Sequence, residues 1–310
     1  MSKNIFQIRV GEKEVGKRLD LFLTQKFTYL SRSKIQKIIE QKLLTVNGKN
    51  PQPAYLVKEK DEIKFFIPQE EPKRFDPASI PLKIIYEDQD ILVVDKPAGM
   101  VVHPACGRKH GTLLNAVLGY LGDFQLARAG IVHRLDKETS GLIVIAKNEQ
   151  TQSFLQLQFK MRSTVKKYLS LVWGRMGSQK GIVDAPIGRS RMNRKKMTVT
   201  EKGKAAQTYY KVVKVLQTSE DQFVSLLEVT PKTGRTHQIR VHLKALGHPV
   251  VGDKTYGRNQ SLDRKLGRQF LHAYYLKFRL PDEGEKEISI QLSRDLERFF
   301  QTLTVKAQSG

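Results

Sequence analysis

The stretch AGIVHRLDKETSGLIVIAK, from Ala129 to Lys147, constrains this chain most. A charged loop, His133 to Ser140, runs into an apolar run from Gly141 to Ala146. That run is short and rich in β-branched residues, so it predicts a buried strand. Asp136 is thereby fixed in a loop at the edge of a sheet, between Arg134 and Lys137. A rigid strand carrying a polar loop is a common means of holding a reacting group. The plainer reading is a turn in which Asp136 pairs with a neighbouring base, and Asp136 taken alone favours it.

Composition narrows the partners. The chain has 310 residues, enough for one large domain and a small one. Lys and Arg number 54 against 31 Asp and Glu, a formal net charge of +23. Such a surplus favours a polyanion, nucleic acid first. An anionic membrane comes second, without a basic amphipathic helix or lipidation motif to support it. The single cysteine, Cys106, excludes an internal disulfide and a multi-cysteine metal site, and fits the cytoplasm. No signal peptide, membrane span or internal repeat is read.

Residues 5–10 alternate apolar and polar and predict a strand. Leu19, Phe22, Leu23 and Phe27 then fall at helical spacing. Ser31 is placed to cap a second helix, RSKIQKIIE, with Ile35, Ile38 and Ile39 on one face. LLTVNG gives a short strand closed by an Asn47-Gly48 turn, and DEIKFFIP gives another. The order KRLDLFL, SRSKIQKIIE, VNGK, DEIKFF resembles the S4 RNA-binding domain. Arg18, Arg32, Lys34 and Lys37, around the helix pair, are then suited to RNA phosphates. Gln41 and Lys60 depart from the resemblance, standing where glycine is usual; Gln41 predicts a looser helix end. Gln69 to Pro81 is polar and proline-rich and predicts an extended linker. The expected organisation is an S4-like domain over 1–75, a linker over 76–81 and a larger domain over 82–305. The tail after Leu303 is expected to be mobile.

In the larger domain KIIYEDQDILVVD predicts two strands, and KPAGMVVHP a turn in which Lys96 supports the sheet. GTLLNAVLGYL and residues 150–159 predict helices. KKYLSLVWG alternates, setting Tyr168 and Leu169 on opposite sides; an aromatic in a strand is usually core. Pro186 to Lys204 is a basic loop or ribbon holding Arg189, Arg191, Arg194, Lys195 and Lys196, suited to an RNA backbone. In TPKTGRTHQIRVHLKALGHPVVGD, Thr236 is placed to cap a helix that begins at His237 and ends at Gly247. Arg240 then lies in its first turn, beside a helix N-terminus that favours an anion, either Asp136 or a phosphate. LHAYYLKFRL predicts a strand. No HExxH or CxxC supports a metal, His237 and His242 are wrongly spaced to share one helical face, and neither a kinase nor a phosphate-loop signature is complete.

HRLD with TSGL, KPxG with a downstream HP, KKYLSLVWG, and TGRTHQIRVHL with HPVVGD together resemble the RluA family of pseudouridine synthases. The likeness covers nearly the whole chain and is greatest to its RluD-type members, which modify large ribosomal RNA. It implies an α+β fold, a mixed and mainly antiparallel sheet with flanking helices, and isomerisation of uridine to pseudouridine without any cofactor. It assigns Asp136 as the catalytic residue, Arg240 as its ion-pair partner in preference to Arg235, and Tyr168 as the ring against the target base. Arg134, beside the catalytic loop, is placed to fill the space left by the base. The implied partner is RNA, 23S ribosomal RNA or a pre-50S particle, with no obligate protein partner. A transfer-RNA target, or an S4-type RNA-binding protein without activity, are the alternatives.

Overall fold

The computed structural model describes residues 5–27, 30–67, 75–104, 110–122, 126–218, 220–281 and 284–304. Residues 68–74 of the proline-rich stretch, Cys106 and the expected mobile tail over 305–310 lie outside the described residues. The chain divides into two compact units, Met1–Lys73 and Arg74–Gly310.

The first unit runs β1 (Ile5–Arg9), α1 (Leu19–Lys26), α2 (Arg32–Glu40), β2 (Leu44–Val46) and β3 (Glu62–Phe66). Its strands pair antiparallel in the order β1-β3-β2. Alternation along β3 turns Ile63 and Phe65 into a core shared with Leu23, Ile35, Ile38 and Ile39 of the helices. Ser31 caps α2 as expected, accepting from the Lys34 N–H at 3.2 Å. The end of α2 differs from expectation. Gln41 keeps φ −77, and the left-handed residue is Lys42 (φ 57), one position later. The Lys42 and Leu43 N–H groups donate to the Ile39 and Ile38 carbonyls, each at 3.0 Å, so the helix closes firmly without a glycine. Lys60, the other departure, does carry a positive φ of 65.

The second unit begins β4 (Ile84–Glu87), β5 (Ile91–Lys96), α3 (Leu113–Leu121), β6 (Ser140–Ala146), α4 (Glu149–Met161) and β7 (Val165–Trp173). It continues β8 (Lys180–Asp184), β9 (Ile187–Arg189), β10 (Met197–Val199), β11 (Gln207–Gln217), β12 (Phe223–Pro231) and α5 (Gln238–Ala245). It closes with α6 (Ser261–Leu266), β13 (Leu271–Leu280), β14 (Gly284–Ser289) and α7 (Arg294–Thr304). Nine described strands form its sheet in the order β4-β5-β6-β13-β7-β12-β11-β8, with β14 paired to β13. Only β6 with β13 is parallel, so the sheet is mixed and mainly antiparallel.

The centre of this sheet is buried on both faces, which is why its strands read as continuous apolar runs. Leu92, Val94, Ile143 and Ile145 of β5 and β6 face a cluster that includes Leu113, Leu114 and Val117 of α3. The alternate residues Ile91, Val93, Leu142 and Val144 face a second cluster with Leu155 and Phe159 of α4. The period of two thus divides one apolar strand between two cores. Gly141 marks where β6 enters the sheet. At φ 120, a Cβ there would lie 2.2 Å from the Ala273 carbonyl oxygen of β13, so only glycine permits this approach. The loop carrying Asp136 ends at this junction and inherits its rigidity.

Candidate active site

The loop from His133 to Thr139 is fixed by groups far away in sequence. At its start, the Val144 N–H donates to His133 Nε2 at 3.1 Å, and the imidazole stacks on Phe159 with ring centroids 4.6 Å apart. Burial pushes that imidazole down to about 3, so it stays neutral and can accept. At its far end, the Gln269 amide donates to the Thr139 hydroxyl at 2.9 Å, and Arg268 donates to the Glu138 carbonyl at 3.1 Å. Arg268 is itself held by Asp295 at 2.6 Å, so the first turn of α7 steadies the loop.

Lys96 clamps the middle. It lies at the end of β5, opposite Gly141, and is fully buried. Its ammonium donates to the carbonyls of Pro97 (2.7 Å), Met100 (3.0 Å) and Lys137 (3.2 Å). Burial, then nearby Arg268, push it down to about 7, while three carbonyl acceptors favour its charged form. The sheet-support role expected from the sequence is therefore part of its work. It also ties the KPAG turn to the residue after Asp136.

Asp136 does not pair with a neighbouring base. Its Oδ2 accepts from Arg240 Nη1 at 2.9 Å, across 104 residues of sequence. Arg240 is 6% exposed and is gripped from the other side by Asp253, through Nε at 2.6 Å and Nη2 at 2.8 Å. Asp253 also accepts from the Thr255 and Tyr256 N–H groups at 2.8 and 3.0 Å. The guanidinium lies over the Tyr256 ring, 5.1 Å from its centroid. Hydrogen bonds and charge from Asp253, with further charge from Asp136, outweigh burial and hold Arg240 well above its ordinary value. Arg235 instead donates to the Ala205 carbonyl at 3.1 Å.

The cap expected at Thr236 is not formed. His237 takes the capping position with left-handed backbone (φ 56) and gives α5 no side-chain cap bond. The Gln238 side chain does related work, its Oε1 accepting from the Thr233 hydroxyl at 2.6 Å and the Arg235 N–H at 3.0 Å. Gly247 follows the end of α5 with φ 85, as expected of a helix stop. His237 Nδ1 meets the Tyr256 hydroxyl at 2.9 Å, whereas His242 is buried between Thr208 and the Ala185 carbonyl. Among the described residues no group of three or more His, Cys, Asp or Glu is placed to hold a metal ion. None of the helices among them is long and apolar enough to cross a membrane.

Asp136 borders two cavities. One, of about 100 Å³, is lined by Tyr168, Pro231, Ile239 and Leu271 and is apolar on that side. The other, of about 290 Å³, is lined by Arg134, Lys137, Lys254 and Arg268. The carboxylate thus stands between an apolar patch and a group of cationic side chains. Tyr168, in β7 beside Val229 and Ala273, is 9% exposed. Burial and then the charge of Asp136 push its hydroxyl up, so it stays protonated. Arg134 is exposed at the rim.

The basic segment forms an antiparallel ribbon of β9 and β10. Arg189, Arg191, Arg194 and Lys195 are exposed, Lys196 is half-buried, and Met192 at the tip is fully exposed. The ribbon reaches the site at its base, where the Met197 N–H donates to the Tyr256 hydroxyl at 2.8 Å. Arg18, Arg32, Lys34 and Lys37 lie around the helix pair of the first unit. Lys96, Asp253, Tyr256 and Arg268 were not assigned to the site from sequence. KPxG was the signal for Lys96, and HPVVGD with the following Tyr256-Gly257 pair for Asp253 and Tyr256; Arg268 had none.

Residues 90–245 match the family model described as RNA pseudouridylate synthase, and residues 17–63 match the S4 domain. The chain belongs to the RNA pseudouridylate synthase family. It is 44% identical to an uncharacterized RNA pseudouridine synthase of Aquifex aeolicus, over 89% of each chain. It is 42% identical to ribosomal large subunit pseudouridine synthase D of Nitrosomonas europaea, over 92% of this chain and 83% of that one. Among solved structures it resembles human RNA pseudouridylate synthase domain containing 1, at 28% identity and a TM-score of 0.59, over 76% of this chain and 98% of that one. This synthase is therefore an isomerase that acts on RNA, and its scaffold fixes the Asp136 carboxylate against a buried arginine.

Replacing Lys96 by Met tests the clamp. The carbonyls of Pro97 and Met100 lose the ammonium, while that of Lys137 keeps the Gly99 N–H at 2.9 Å; lost donors to partly buried acceptors are costly, so the second unit should lose on the order of 2 kcal/mol of stability. Thermal unfolding followed at the buried Trp173 reads this directly. A melting temperature equal to that of the unmodified synthase would show that the carbonyls find other partners.

Proposed function

We propose that this synthase isomerises uridines of large-subunit (23S) ribosomal RNA, free or in a pre-50S particle, in the cytoplasm. Asp136 is its catalytic residue. The observation that carries the chemistry is the carboxylate of Asp136 held at 2.9 Å by a buried arginine that is itself locked by Asp253. The choice of RNA rests on relatives such as that of Nitrosomonas europaea, whose name specifies the large ribosomal subunit.

The reaction breaks the bond from N1 of uracil to C1′ of ribose. The base turns, C5 bonds to C1′, the C5 proton leaves and N1 gains a proton, so atoms and electrons balance with no outside oxidant or reductant. Asp136 acts either as nucleophile or by taking a ribose proton, and both routes need an ionised, aimed carboxylate. Arg240 supplies the aim and the opposite charge. Tyr168 stacks on the uracil from the apolar side, and late in the reaction its hydroxyl takes the C5 proton while its own proton passes to water. The target must leave its stack, which costs least in a loop, and Arg134 takes the vacated space. Arg189, Arg191, Arg194, Lys195 and Lys196 of the ribbon hold the RNA backbone. Residues 1–75, joined through the linker at 76–81 to the catalytic domain at 82–305, add affinity and site choice through Arg18, Arg32, Lys34 and Lys37.

Two measurements test this reading. Asp136→Asn, nearly isosteric but unable to act as nucleophile or base, should lower single-turnover pseudouridine formation at least about 10³-fold while RNA still binds. Turnover within a few-fold of the unmodified enzyme would remove Asp136 from the chemistry. Mapping pseudouridines in cells lacking the protein should show loss at specific sites of the large-subunit RNA. Loss confined to transfer RNA would overturn the choice of substrate.

A further inference from the structure

The first unit holds a charged cluster outside its apolar core. Asp20, in the first turn of α1, is fully buried. Arg18 approaches it with Nε on Oδ1 and Nη2 on Oδ2, both at 3.2 Å. Arg32, the first residue of α2, brings Nε and Nη2 to Oδ2 at 3.0 and 2.9 Å. Gln36, one helical turn on, adds an amide donor to the same oxygen at 2.9 Å. The two arginine side chains remain 42% and 48% exposed. Hydrogen bonds from Arg18 lead the effects that hold this carboxylate well below the usual range, so it is ionised at neutral pH.

One buried anion thus holds two guanidiniums side by side, each with an outer edge toward solvent. The trio has a charge of +1, and both arginines sit where helices begin, the ends that favour anions. We propose that Asp20 is a positioning residue that builds, from Arg18 and Arg32, a preformed seat for a single RNA backbone phosphate. A guanidinium fixed in its binding orientation gives up less freedom on meeting a phosphate, and its planar fork matches phosphate geometry. The inference rests on the reading of the first unit as an RNA-binding module and adds what orients its arginines.

Simple charge counting gives the opposite sign. Asp20→Asn removes a negative charge from a surface that meets a polyanion, and by Coulomb attraction alone should tighten binding. If Asp20 orients the seat, the same change should weaken binding about fivefold near 0.15 M salt and lower the log–log salt slope by about one unit, the signature of one lost phosphate contact. The test is RNA affinity of the full chain as a function of salt, for Asp20→Asn, for Arg18→Ala with Arg32→Ala, and for the triple variant. Asp20→Asn should add no further loss once both arginines are gone. Unchanged or tighter binding by folded Asp20→Asn, with a clear loss in the arginine pair, overturns the role of Asp20. No loss in the arginine pair overturns the RNA-binding reading of this unit as well. Should Asp20→Asn unfold the first unit, Arg18→Lys with Arg32→Lys keeps every charge but not the fork. It should show the same fivefold loss, and binding equal to the unmodified chain overturns the proposal.

Discussion

Arg240 is a buried cation, and the site depends on how its charge is met. Removing a guanidinium from water is costly unless it is paired and hydrogen-bonded. Asp253 satisfies one edge with a fork of two bonds at 2.6 and 2.8 Å, and Asp136 takes the remaining direction. Asp253 is immobile because two backbone N–H groups also hold it. The order of dependence therefore runs outward: a turn fixes Asp253, Asp253 fixes Arg240, and Arg240 aims Asp136. Asp253 balances the charge of Arg240, so the guanidinium meets Asp136 as one end of a fixed ion pair. Tyr256 covers the guanidinium and links this interior to the base of the basic ribbon.

The loop that offers Asp136 is as constrained as its partner. Lys96 holds the carbonyl of Lys137, and Arg268 holds that of Glu138, so cationic side chains grip the two residues that follow the carboxylate. Lys96 closes β5, and Arg268 lies just before β13, so both grips start from the sheet. A reacting group carried on a loop gains accuracy when the loop is held in this way.

β5 and β6 are legible in the sequence because their apolar runs are unbroken and end at charged loops. Ser31 is legible because a cap needs only the next three residues. HRLD and HQIR are legible by resemblance, which also pairs Asp136 with Arg240. The residues that escape are those whose partners lie far away. Lys96 meets Lys137 across 41 residues and Arg268 meets Glu138 across 130, and no local pattern announces either contact. The cap at α5 lies one residue later than Thr236 because His237 turns left-handed before the helix begins, a backbone choice no local pattern announces. At the end of α2 the helix stop moved to Lys42, since a lysine can adopt the left-handed turn at modest cost when tertiary packing requires it.

The central claim is that the aim of Asp136 depends on Asp253 behind Arg240. It is tested most directly by the single-turnover rate of pseudouridine formation by Asp253→Asn, with enzyme saturating over RNA and folding checked by melting. Asp253 touches no substrate in this account, so RNA affinity should stay within a few-fold while the rate falls by about 10²-fold, the cost of a misplaced reacting group. A folded Asp253→Asn enzyme that turns over within a few-fold of the unmodified rate would contradict the account.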